Sequence, residues 1–392
     1  MFSMNIDEGT SDNNKKILTV LVSYYSPSLN KVVINHFVSL SLIVVKLSLI
    51  DSLLQRHNIP WTNVISILMD SCNVMRVSKS GLETRIRTKH APYHIDIDGD
   101  VCIHNACKRF SKAFEQHLEE LFTSIYNDFK WSTDLHQYLE RLCNILGVKF
   151  TVPERYVPTR WLSVYDVVVD TLRLLDVYTI FCFPFLSLPD RQHFFHLCKG
   201  IYLSKEIGDK AVRAIKVIQD RLREKKMTEE GKQQKERITQ KLFVNHSYTR
   251  LLLYFHASAL ALLKKFVLVF QKNETQIHKL YDEVVGLSKS FFSCFVKPEV
   301  LLQCKVTDVG VAAETSMLAL VDIFIEPEAT AILHKEKKIE VKKAFLSRAR
   351  SASKCLQEKL PLKNRLLIHL SAIDPLVTGH THQSEFPTNQ YE

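Results

Sequence analysis

Two carboxylates far apart in the chain open its chemical reading. Asp7 closes Met4-Asn5-Ile6-Asp7, and Asp70 closes Ile65-Ser66-Ile67-Leu68-Met69-Asp70. Both runs have the alternating or apolar pattern of a strand, so each acid sits where a strand stops. Neighbouring strands can bring two such acids onto one metal ion. A Mg²⁺ held there would serve phosphoryl transfer, the chemistry of a metal-dependent nuclease. The same residues have an ordinary role as turn formers or helix caps, and Asp70 heads the cap-like run Asp70-Ser71-Cys72-Asn73.

The remaining reactive patterns are weaker. Cys102-x-His104-x-x-Cys107 resembles half of a zinc site. On a helix, however, His104 and Cys107 share a face that Cys102 leaves, and no second Cys/His pair follows, so no zinc is expected. His193-x-x-His196-x-Cys198 lies with Phe194 and Phe195 in an aromatic helix and reads as packing. There is no Gly-rich phosphate loop, Gly-x-Ser-x-Gly elbow, His-Glu-x-x-His or dinucleotide fingerprint, and no small-molecule substrate is expected.

The elements that must position these residues divide into two kinds. Phe2, Met4 and Ile6 alternate with polar residues, and Ile17 to Tyr25 and Lys31 to Val38 flank the turn residues Ser26-Pro27-Ser28-Leu29-Asn30. This spacing predicts a three-strand meander. Val45, Leu49, Leu53 and Leu54 predict a helix ending before Ile59-Pro60, and Val64 to Asp70 a buried strand. A helix over 81–89, a strand over 94–97 and a long helix over 101–129 follow. From residue 110 onward the pattern is helical, with spans at 110–129, 132–146, 161–176, 190–225, 247–274, 276–295, 312–325, 328–358 and 362–371. The fold class is therefore α/β plus all-α: a mixed sheet core of meander then β-α-β, the plan of the ribonuclease H fold, followed by helices. Residues 221–241 are highly charged and read as a solvated linker or exposed helix extension, or more sharply as a basic arm touching phosphates.

The chain has 392 residues, 10 glycines and a net charge of +10. Scarce glycine favours long helices over turn-dense β folds, and the basic balance favours a polyanionic partner such as DNA. Nine cysteines, an odd number, read as reduced core residues of a nuclear or cytoplasmic protein. The uncharged apolar runs Val32 to Val45 and Leu251 to Leu263 fall short of the roughly 18 residues a membrane span needs, and no membrane is expected.

An ordered set of segments resembles hAT-superfamily DNA transposases and host proteins domesticated from them. It comprises Asp7-Glu8-Gly9-Thr10-Ser11-Asp12, the hairpin through Leu40, Asn58-Ile59-Pro60-Trp61 and Asp70-Ser71-Cys72-Asn73-Val74-Met75. Gly99 to Asn105, Thr159-Arg160-Trp161-Leu162-Ser163 and Leu370 to Pro375 complete it. The resemblance implies a ribonuclease H-like core over 1–177, interrupted by a helical insertion over 178–358 and followed by a tail over 359–392. It gives Asp7 and Asp70 the positions of the first two catalytic, Mg²⁺-binding acids. It also brings Trp161 near extruded DNA, with Arg160 beside it; the plainer reading has Trp161 anchoring a helix on the core. The third acid, a glutamate beyond the insertion, is not identifiable, because Glu385 and Glu392 lie in a polar tail. The resemblance also implies an N-terminal zinc finger and a C-terminal dimerisation region, neither of which this sequence contains. The expectation is a catalytically inactive, transposon-derived protein that binds DNA or protein. The alternative is a Mg²⁺-dependent transposase or nuclease fragment whose missing acid comes from another chain.

Overall fold

The structure is a computed structural model. It describes residues 1–10, 15–42, 47–69, 75, 81–90, 94–97, 112–130, 132–157, 163–199, parts of 209–220, 228–270, 277–311, 313–319, 322–323, 325–336 and 339–372. Two compact units are present: Met1–Asn105 with Lys272–Thr275, and Ala106–Gln271 with Gln276–Glu392.

The first unit is a mixed five-stranded sheet in the order β3-β2-β1-β4-β5. Strands β1 (Phe2–Thr10), β2 (Lys16–Ser26) and β3 (Lys31–Leu42) run antiparallel, and β4 (Val64–Met69) and β5 (His94–Ile97) run parallel to β1. Pro27 to Asn30 turn the hairpin, with Asn30 at φ 49° and its N–H donating to the Pro27 carbonyl. Opposite the Val20–Leu21 step, Phe37 is skipped by the pairing and forms a bulge.

Period-two alternation sorts the sheet's faces. Met4, Ile6, Leu18, Val20, Val64, Ile67 and Met69 are buried against Leu47, Ile50 and Leu54 of α1 (Leu47–Arg56) and Leu82 and Ile86 of α2 (Leu82–His90). Helix α1 ends in a Schellman-type turn: Asn58 is left-handed at φ 54°, the Ile59 N–H reaches the Leu54 carbonyl at 2.8 Å, and Pro60 follows.

The second unit is helical. It comprises α3 (His117–Phe129), α4 (Thr133–Leu146), α5 (Ser163–Cys182), α6 (Leu188–Lys199), α7 (Glu229–Thr239), α8 (His246–Phe270), α9 (Ile277–Phe292), α10 (Pro298–Gln303), α11 (Pro327–Lys335), α12 (Ile339–Lys359) and α13 (Arg365–Ser371). Its core centres on Phe255 of α8, whose ring lies 5.4 Å from Phe114, 5.3 Å from Phe345 and 6.1 Å from Phe295. Helix α8 is long and apolar enough to cross a membrane by length and composition, but half of it is buried inside the unit, as in a core helix.

Several sequence expectations differ from what is observed. The domain boundaries set at 177 and 358 fall inside α5 and α12. The helix expected over 101–129 is interrupted before His117, where Glu115 and Gln116 are left-handed at φ 57° and 58°; residues 101–111 lie outside the described residues. Over 312–325 there is a 3-10 turn, Glu314–Ser316, and a bridge from Val296 to Met317. The buried residues described there, Met317, Ile323 and Ile325, do not recur at the spacing of a helical face. The span 328–358 is broken after Lys335, since Leu333 and Phe345, both buried, would lie about 120° apart on one continuous helix. The charged stretch 221–241, from residue 228 onward, is a helix with a largely exposed outer face, not a linker, and its other face is buried. Helix α7 and the π-helical turn Gln240–Val244 bury Lys235, Ile238, Thr239 and Lys241.

Candidate functional site

Strand β1 carries the one sequence-predicted site residue that lies within the described residues. Asp7 pairs with Thr19 of β2 and is exposed near the carboxyl end of β1, on the face opposite the apolar core. Pairing places Ser39 of β3 beside Thr19, with their hydroxyls 3.3 Å apart, and His36 Nε2 lies 2.8 Å from Ser39 Oγ. A polar row of carboxylate, two hydroxyls and an imidazole thus crosses three strands. Further along the same face, Ser66 of β4 donates to Ser3 Oγ at 2.8 Å.

Glu8, next in sequence, points to the other face. Its Oε1 receives Lys16 Nζ at 2.7 Å, whereas Oε2 is buried with no hydrogen-bond partner among the described residues. Opposite orientations stop Asp7 and Glu8 from gripping one ion together. Pairing of β1 with β4 ends at Ile6 and Met69. Asp7 and Asp70 are the residues that follow these two in the chain, but Asp70 itself lies outside the described residues.

A Mg²⁺ ion needs an octahedron of oxygens; register puts Asp96 of β5 on the same sheet face as Asp7 but two strands away, and no step through the metal is derived. Among the described residues no three His, Cys, Asp or Glu side chains group as metal ligands. Arg160, Trp161, Cys102, His104, Cys107, Glu385 and Glu392 also lie outside them. His196 Nδ1 donates to the His193 carbonyl at 2.9 Å, and Cys198 is buried with its thiol pushed up to about 12 by desolvation. These side chains form no ligand set.

Two polar clusters were not anticipated. On the first unit, Asp51 of α1 accepts from Trp61 Nε1 at 3.0 Å and Lys89 Nζ at 2.8 Å, and His90 Nε2 stands 2.8 Å from the same carboxylate. The His90 ring stacks on Trp61 at 4.2 Å. Burial pulls the Asp51 pKa up, and the bonds from Lys89, Trp61 and His90 outweigh it and hold it below the usual range.

On the helical unit, a groove of about 500 Å³ is lined by residues including Glu119, Asn127, Tyr156, Gln234 and Arg237. Desolvation pushes the Glu119 carboxyl up to about 7. Nearby, Thr249 Oγ1 donates to the Lys241 carbonyl at 2.8 Å, leaving its oxygen to accept from His117 Nε2 at 2.8 Å. Burial, then the charges of Lys241 and Arg348, lower His117 to about 3, and burial lowers His256 to about 4. Both clusters join residues remote in sequence, and the apolar periodicity that predicts their helices gives no sign that these polar side chains meet.

The positive charge is unevenly spread. Residues 1–105 hold ten Lys/Arg against nine Asp/Glu, and residues 106–392 hold 42 against 33. The basic excess therefore belongs to the helical part of the chain. Compared with known protein families and with curated proteins, the sequence has no match.

Proposed function

We infer that this chain is a transposon-derived protein of the hAT type, with a ribonuclease H-like sheet, that binds DNA through its basic helical unit without cutting it. The observation that carries the reading is the sheet order. A meander followed by two parallel strands puts β1 between an antiparallel and a parallel neighbour, and ligand sites of open α/β sheets gather at the carboxyl ends of strands where the connections change direction. Asp7 lies near that end of β1. The charge distribution supports the second half of the reading: phosphates are attracted to the unit with the excess of Lys and Arg. An exposed carboxylate with hydroxyl neighbours holds Mg²⁺ weakly by itself, which favours binding over strand cleavage.

The test is binding and nicking of labelled duplex DNA by the purified chain, with and without Mg²⁺, beside Asp7→Asn. The reading predicts binding that Mg²⁺ does not alter, no nicking, and no effect of the substitution. Mg²⁺-dependent nicking that disappears in Asp7→Asn would overturn the non-catalytic assignment in favour of an acidic site completed by another chain.

A further inference from the structure

The outer strand β3 has no described neighbour on its far side. Such an edge presents a row of free backbone N–H and C=O groups, and proteins that keep an edge strand monomeric place charge, proline or a bulge along it. The run Lys31-Val32-Val33-Ile34-Asn35-His36 contains no acid and no proline. Its one formal charge stands at the turn, and the bulge at Phe37 comes only after the run. Exposed apolar side chains gather on the same hairpin: Tyr25 is 56% exposed, Val32 45% and Ile34 57%.

We propose that β3 is the interface for a second copy of this chain, pairing antiparallel across a two-fold axis at Val33 so that two sheets join into one. Register selects this occupant. With Val33 opposite itself, Val32 of each copy faces the partner's Ile34 on one side of the sheet, and Lys31 faces the partner's Asn35 on the other. No lysine meets a lysine, and both exposed β-branched residues are covered in each copy. His36 meets the partner's Asn30 at the turn. The strand is therefore complementary to itself, which is the condition for an isologous two-fold contact. The interface is distinct from the Asp7 row and does not depend on the DNA-binding reading.

Sedimentation equilibrium of the full chain over a wide concentration range tests the pairing. The wild-type chain is expected to dimerise reversibly. Ile34→Lys and Val32→Glu, both at exposed positions, are each expected to weaken the dimer by about tenfold or more, because a charge is then buried against an apolar partner. Mixing the two variants is expected to restore association, since the introduced ammonium of one copy faces the introduced carboxylate of the other. Unchanged circular dichroism and melting show that each variant keeps its fold. A wild-type chain that stays monomeric throughout, an Ile34→Lys dimer as tight as wild type, or a mixture no tighter than its components would each overturn the proposal.

Discussion

Asp51 joins three parts of the sheet unit with one side chain. The indole N–H of Trp61, the ammonium of Lys89 and the ring of His90 all converge on its carboxylate. Removing it leaves donors without an acceptor at a partly buried site, so Asp51→Ala is expected to destabilise the sheet unit by about 2 kcal/mol. Urea unfolding followed by tryptophan fluorescence checks this, because Trp61 reports the cluster directly. The titratable groups of the helical unit pull in opposite directions. His117 and His256 are neutral in the folded chain and take up protons on unfolding, so stability is lost as pH falls from 6.5 towards about 4. Glu119 has the opposite sign: its folded pKa is raised from 4.5 to about 7, so its contribution is full below 4.5 and is lost as pH rises through 7. Between 4.5 and 6.5 the two imidazoles outweigh the one carboxyl, and stability should rise with pH by at most about 1.4 kcal/mol per unit. Glu119→Gln removes the opposing group. It is expected to stabilise the unit by about 1–2 kcal/mol at pH 8 and to steepen its loss of stability in acid, as measured by denaturant unfolding at pH 5 and pH 8.

Helix α7 shows how an element can be misread from its composition. Glu229 to Arg237 contains no aliphatic or aromatic residue, yet Lys235 is 6% exposed, pairs with Asp128 and lies over the rings of Phe185 at 4.0 Å and Phe181 at 5.2 Å. Lys235→Ala and Lys235→Met both strand the Asp128 charge and are each expected to cost about 3–5 kcal/mol, with Lys235→Met the milder of the two only by the packing it keeps against both rings. Thermal melts of the two variants give the comparison. The partner of Lys235 is 107 residues away in sequence, which is why charge content pointed to solvent. The strands were legible for the opposite reason. Phe2, Met4 and Ile6 alternate within one short run, and Pro27 to Asn30 mark the turn locally. Asp7 was expected where the first strand stops, but β1 runs on to Thr10, and the row of Asp7 with Thr19 and Ser39 exists only once the register of β1, β2 and β3 is known. Helices were well placed where one apolar face persisted, as in α8, and misplaced over 312–325, where buried residues belong to irregular chain. At the centre of α8, Phe255 packs against four phenylalanine rings, and Phe255→Ala is expected to destabilise the unit by about 3–5 kcal/mol by the same thermal melt.

At the scale of the whole molecule, chemistry and charge are assigned to different units. The first holds the exposed acid of β1 and is nearly balanced in charge, and the second holds the basic excess. A working nuclease requires acids and metal at the site of cleavage; a DNA-binding protein requires only phosphate contacts. The account therefore rests on electrostatic binding, and the most direct measurement is the affinity of the intact chain for duplex DNA across a salt series. The account predicts that log affinity falls linearly with log salt, by about 0.9 for each phosphate contacted, and that the slope is the same with and without Mg²⁺. Absence of binding at low salt, or an affinity indifferent to salt, would contradict it.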